Sequence, residues 1–137
     1  MPALTLFQPF AEAIAEKKHN LGSDTLTVAL TNVAPVNTNA VLADITQISY
    51  TNLSSRVITI ASSSQTAGVY KLVLSDLTLL ATGTVAQFRY VVIYNDTATN
   101  DELIGYIDKG SAVDMENGDS FICDFDASAG VITITIS

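Results

Sequence analysis

Histidine, cysteine and paired carboxylates are the side chains with which this chain would do chemistry, and each occurs in one restricted place. His19 is the only histidine and stands in the run Glu16-Lys17-Lys18-His19-Asn20. Any catalytic triad or histidine–metal centre would have to use it. Its neighbours describe the end of a helix, where a solvated cation or a capping group is the ordinary role. Cys123 is the only cysteine, so neither an intrachain disulfide nor a cysteine-rich metal centre can form. It alternates with Phe121 and Phe125, which puts all three on one strand face and makes the thiol a small buried apolar group. No serine lies in a G-x-S-x-G elbow, and the seven glycines are too dispersed for a phosphate-cradling loop.

The acids are more concentrated. Asp101, Glu102, Asp108, Asp114, Glu116, Asp119, Asp124 and Asp126 fall within one stretch opposed only by Lys109. Asp124 and Asp126 share a strand face, with Cα atoms about 6.6 Å apart in a regular strand. That spacing suits a pair of glycosidase carboxylates, but the chain has no Trp to form a sugar platform. Asp124-x-Asp126-x-Ser128-x-Gly130 also hints at an oxygen-ligand calcium loop. It lacks the EF-hand glycine position, and Thr135 stands where the bidentate Glu is required. A solvated hairpin end is the simpler reading. Tyr90 and Tyr94 share a face with Val92, opposite Arg89, Val91 and Ile93, and with Tyr106 they offer either a protein or glycan interface or a core edge with hydroxyls in solvent.

The elements that position these residues are one helix and a series of strands. Phe7, Phe10, Ala11, Ile14 and Ala15 recur at helical spacing, which predicts a helix over about 6–20. Pro9 fits its first turn, Lys17 and Lys18 complement its negative end, and Gly22 supplies a left-handed stop. Strands are predicted over Thr25–Thr31, Arg56–Ala61, Val69–Leu74 and Leu77–Ala81, the last two joined through a bulge at Ser75-Asp76. Gln87–Tyr94 and Glu102–Ile107 form a hairpin, and Ser120–Phe125 and Val131–Ile136 form another around Asp126–Gly130. Asn39–Ile48 is either a helical turn or a short extended segment. The sum is a mainly β, antiparallel sandwich or partly closed barrel of about seven strands with one N-terminal helix. It forms a single domain over 1–137, with the β-domain spanning about 24–136.

At 137 residues, 48% hydrophobic and 15% charged, the chain can bury a core. A formal net charge of -8 and scattered basic residues (Lys17, Lys18, Arg56, Lys71, Arg89, Lys109) oppose nucleic-acid binding. No apolar run approaches the ~20 residues that span a bilayer. The start of the chain lacks a signal-peptide pattern, and folding in a cytoplasm is expected.

Three stretches carry a resemblance: FAEAIAEKKHNLGSDTLTVALTNVAP at the start, TAGVYKLVLSDLTLLA in the middle, and FRYVVIYND through GDSFICDFDASAGVITI at the end. In this order they resemble a group of small virion structural proteins of tailed bacteriophages, found near capsid and tail genes. Ile107-Asp108-Lys109 and a shortened Ala40–Ser55 depart from that pattern. The residue inventory leads to the expectation of no enzyme, with no cofactor, catalytic residue or metal ligand; the resemblance implies a virion protein made in the host bacterial cytoplasm. It implies a capsid decoration (cement) protein on the outside of the head, contacting the major capsid protein and copies of itself. The alternative is a tail or fibre component for host attachment or fibre assembly. The interface residues are unknown from sequence. The helix stripe or a strand edge such as GVITITIS would supply the contact, although an internal position for that strand is equally compatible with its pattern.

Overall fold

Alternating apolar residues drive the chain into strands, and the computed structural model describes all of residues 1–137. The order is β1 (Thr5–Leu6), α1 (Phe10–Ala15), β2 (Leu26–Thr31), β3 (Val57–Ile58), β4 (Ile60–Thr66), β5 (Val69–Leu74), β6 (Leu77–Leu80), β7 (Val85–Asn95), β8 (Leu103–Met115), β9 (Ser120–Cys123) and β10 (Ile132–Thr135). Three antiparallel sheets result, ordered β1-β8-β7-β2-β3, β10-β5-β4 and β6-β9. One face of the five-stranded sheet supplies Leu26, Val28, Leu30, Phe88, Val91 and Ile93 to the main core. The smaller sheets face it with Leu72, Leu74 and Ile132, and with Leu79, Phe121 and Cys123. The arrangement is sandwich-like, with the apolar side chains of opposed sheets meeting in the middle.

The five-stranded sheet is covered on its other face too. Phe7, Ala29, Ile45, Val92, Tyr94 and Leu103 form a second, smaller core there. This double cover explains why every residue of β2 is buried. Ile45 follows a 3-10 turn at Leu42–Asp44, where the Asp44 carboxylate accepts from the Ala40 and Val41 N–H groups at 2.9 and 3.2 Å.

The helix is much shorter than its apolar stripe predicts. Leu6 belongs to β1, and Phe7 enters the second core ahead of the first helical turn. The far end is closed by Lys17 in a left-handed conformation (φ 67), with Lys17 N–H bonding Ile14 C=O and Lys18 N–H bonding Ala13 C=O. That is the Schellman pattern with a lysine in the position glycine usually takes. Gly22 is not the stop, and Lys17 and Lys18 lie beyond the last turn.

Three pairings also differ from the sequence expectation. Arg56–Ala61 is not one strand: β3 pairs with β2, the chain switches sheets at Thr59, and β4 continues through the Ser-rich stretch to Thr66. Ser75-Asp76 is not a bulge but a crossing between sheets, since β5 and β6 pair in different ones. β9 and β10 form no hairpin; β9 pairs with β6 and β10 with β5. The first two of these splits add two strands to the seven predicted, and β1, at the start of the predicted helix, is the tenth.

Candidate functional site

His19 is not solvated. It is 6% exposed, and its ring packs 5.2 Å from that of Phe10. The turn after α1 carries it down to Asn95, the last residue of β7, which is fully buried. Asn95 Oδ1 accepts from the N–H groups of Thr97 and Ala98 at 2.9 and 3.2 Å, which settles the orientation of the amide. Its Nδ2 therefore donates, to His19 Nδ1 at 3.0 Å and to Asp24 Oδ2 at 2.6 Å. A nitrogen that accepts carries no proton, so the neutral imidazole holds its proton on Nε2. That Nε2 is buried without a hydrogen-bond partner, as is Glu102 Oε2. Burial lowers the His19 pKa from 6.5, and the charges of Glu102 and Asp24 oppose the shift only in part. The group joins the loop before β2 to the β7–β8 turn and keeps the imidazole neutral near pH 7.

The acids do not converge. No three His, Cys, Asp or Glu side chains are placed to share an ion. Asp108 forms a two-pronged bond with Arg89 (2.8 and 3.1 Å) and also accepts from Gly110 N–H. The Arg89 bond and the Gly110 bond hold its carboxyl below the usual range. Asp114 accepts from Gln87, Glu116 from Thr84, and Asp119 caps the Glu116 N–H. Asp101 is pushed up, by burial first and then by Asp96 and Glu102. Asp124 and Asp126 are both exposed. They border an open cavity of about 710 Å³ lined also by Met1–Leu4, Asp76 and Val131. Within it Asp76 accepts from Phe125 N–H at 2.9 Å, and Asp126 Oδ1 accepts from Ser128 and Ala129 N–H at 2.9 and 2.8 Å. These carboxylates shape the loop that the calcium reading would have filled.

Cys123 is fully buried with Phe121 and Phe125, as their alternation predicts, and burial pushes its thiol up to about 12. The tyrosines are divided. Tyr94 is buried in the second core and Tyr106 borders it, its hydroxyl donating to Asn37 at 3.1 Å. Tyr90 is half-buried. Arg89 does not follow Val91 and Ile93 into the main core: a register shift between Phe88 and Tyr90 turns it to Asp108, with the guanidinium 5.4 Å from the Tyr90 ring.

What sequence reasoning missed is therefore Asn95, Asp24 and Glu102 around His19, and a set of apolar side chains in solvent. Val33, Val36, Val57, Leu80, Ile122 and Ile136 are each 50% exposed or more. The only sequence signal for the first group is Asn95-Asp96-Thr97, where an Asn side chain folds back on the backbone two residues on. The outward positions of Leu80 and Ile122 follow from strand pairing, since Thr78 opposes Ile122 while Leu79 opposes Phe121 inside. No helix is long and apolar enough to cross a membrane. No family model, no curated protein and no solved structure matches the chain.

Proposed function

We propose that this chain is a structural protein of a tailed-bacteriophage virion, binding the outside of the head as a decoration protein. The observation that supports this reading is a contrast in how side chains are used. Polar groups with chemical potential close loops and cap turns, whereas six large aliphatic side chains stand at least half exposed. Leu80 and Ile122, diagonal neighbours on the outer face of β6 and β9, are of the kind that suits burial against another protein. Repeated over a symmetric shell, modest contacts of this kind give strong retention by avidity. A net charge of -8 keeps the free protein soluble and favours a partner surface with basic patches over nucleic acid. The resemblance in the three sequence stretches points to the same class.

The test is copy number in purified virions relative to the major capsid protein. Copies in fixed proportion to capsomers support decoration. A small number matching tail symmetry moves the protein to the tail or fibre, and absence from the particle overturns both readings. Purified protein should also bind undecorated heads saturably and raise their resistance to heat.

A further inference from the structure

Every sheet in this molecule has edges, and all but one carry protection of the usual kinds. β1 and β3 are two residues long, and the part of β8 that β1 leaves uncovered carries Asp108, Lys109 and Asp114. β4 carries a register shift between Ile60 and Ser62 and is largely Ser and Gln outside it. β6 is covered by the segment before β3, with Ser54 N–H bonding Leu80 C=O and Leu80 N–H bonding Ser54 Oγ. β9 is flanked by Asp119 and Asp124. β10 differs. It pairs with β5 alone, no charged side chain or proline lies between Ala127 and Ser137, and its register with β5 is unbroken from Ile132 to Thr135.

The sequence along this edge is Ile132-Thr133-Ile134-Thr135-Ile136, which reads the same in both directions. An antiparallel pair of identical strands about a two-fold axis requires that kind of self-complementarity. The backbone agrees. Ile132 opposes Leu72, Ile134 opposes Tyr70, and Ile136 N–H bonds Gly68 C=O. The even-numbered residues therefore turn their N–H and C=O groups toward β5, and Thr133 and Thr135 turn theirs to the open side. Those two residues come opposite each other when two copies pair about Ile134.

We propose that two copies of this chain associate through β10, with the axis at Ile134, Thr133 hydrogen-bonded to the partner's Thr135, and the two three-stranded sheets joined into one. Ile136, 73% exposed, then lies beside the partner's Ile132, and Ile134, 40% exposed, beside the partner's Ile134. The threonine pairs occupy the opposite face, where all four are solvent-facing. A chain of net charge -8 repels its copies over most of its surface, and this uncharged edge is where two copies meet with no like charges opposed. The inference stands apart from the capsid reading, because it concerns the free protein and needs no head.

The test is sedimentation velocity on three versions of the full chain at up to about 100 µM, a range that reveals micromolar association. Wild type should sediment as a dimer. Thr133→Lys/Thr135→Lys places lysine opposite lysine across the axis, and Thr133→Glu/Thr135→Glu places glutamate opposite glutamate. Each should weaken self-association at least tenfold while remaining folded. At a dilution where wild type is monomeric, the lysine pair should melt slightly lower and the glutamate pair slightly higher, because Thr133 stands opposite Lys71 on β5. Mixing the two variants sets lysine against glutamate, and a dimer containing one of each should return. A monomeric wild type overturns the proposal. So does a dimer that the charged pairs neither weaken nor re-form on mixing, because its contact is then elsewhere.

Discussion

Replacing Asn95 by Ala tests whether the buried hydrogen-bond group at the end of β7 is a structural keystone. The side chain makes four hydrogen bonds, two accepted by Oδ1 and two donated by Nδ2, one of them to the Asp24 carboxylate. A charge-assisted bond contributes about 1.5–3 kcal/mol net, and the neutral bond to His19 about 1 kcal/mol. The two turn bonds, closer to solvent, add a further ~1 kcal/mol together. Asn95→Ala should therefore cost about 3–5 kcal/mol. A chain this long has roughly 7–20 kcal/mol of stability, so the variant still folds. With a urea m-value of about 2 kcal/mol/M, the midpoint should fall by roughly 2 M with m unchanged. Acid gives an independent readout. The folded-state pKa of His19 lies below 6.5, so the unfolded chain binds the proton more readily. Stability associated with the neutral imidazole is complete above pH 6.5 and is lost as pH falls through the folded value. His19 is the only histidine, and the carboxyls of lowered pKa, Asp44 and Asp108, titrate below 3.8. A loss between pH 7 and 5 thus reports His19. In Asn95→Ala the second proton on Nδ1 no longer meets an opposing donor, so that slope should flatten; in His19→Gln it should vanish. A midpoint shift under about 0.5 M, or an acid slope unchanged in both variants, would refute the reasoning.

Cys123 should resist a water-soluble thiol reagent at pH 8 in the native protein and react fully in urea, because a thiol with a pKa near 12 in the core is both protonated and inaccessible; rapid native labelling would contradict its placement. Phe88 is fully buried and meets Phe121 edge-on with ring centroids 5.2 Å apart, so Phe88→Ala should cost about 3–5 kcal/mol by urea titration. At Gly105 an added Cβ would meet Thr5 C=O at 2.7 Å and Leu4 Cγ at 2.9 Å. Gly105→Ala should release β1 from β8, seen as faster amide exchange at Phe7, whose N–H bonds Ile104 C=O at 3.1 Å, with the rest of the sheet protected. Arg89→Ala should change stability by under about 1 kcal/mol, because both partners of the Asp108 pair are near 40% exposed and solvent screens them.

The strands with clear alternation were legible. Thr25–Thr31, Val69–Leu74 and the inward row Phe121, Cys123 and Phe125 stand where periodicity puts them, and so does the Phe88–Ile107 hairpin, although its second strand, predicted to end at Ile107, runs on as β8 to Met115. The failures share one cause: periodicity marks a strand but not its neighbour. Nothing in Leu72 or Leu79 says that they enter the core from different sheets, so Ser75-Asp76 looked like a local irregularity. β4 escaped because Ser62-Ser63-Ser64 has no alternation; its place is secured by β5 and by the turn at Ala67-Gly68, where both residues have positive φ, the geometry of a tight hairpin. The helix was overestimated because Phe7 has the right spacing for the stripe of Phe10 and Ile14 but serves the other core.

The same limit governs the site residues, in a more instructive way. A lone histidine among lysines gives no sign of burial, since its hydrogen-bond partner arrives from 76 residues away at Asn95 and the Glu102 charge from just ahead of β8. Only the fold decides that Asn95 presents a donor to Nδ1 and so leaves the proton on Nε2. The acids show the converse. Eight carboxylates in one stretch suggest a shared ion, yet β8 carries Asp108 and Asp114 to separate partners on β7, and Asp126 spends its oxygen on its own loop. The palindrome at Ile132–Ile136 needs both levels. Its symmetry is in the sequence, but it acquires meaning only because β5 takes the even-numbered backbone groups and leaves the odd ones open. An internal strand with the same five residues would have no free groups to offer a second copy, so the position at the sheet edge, and not the composition, is what makes the segment a binding surface.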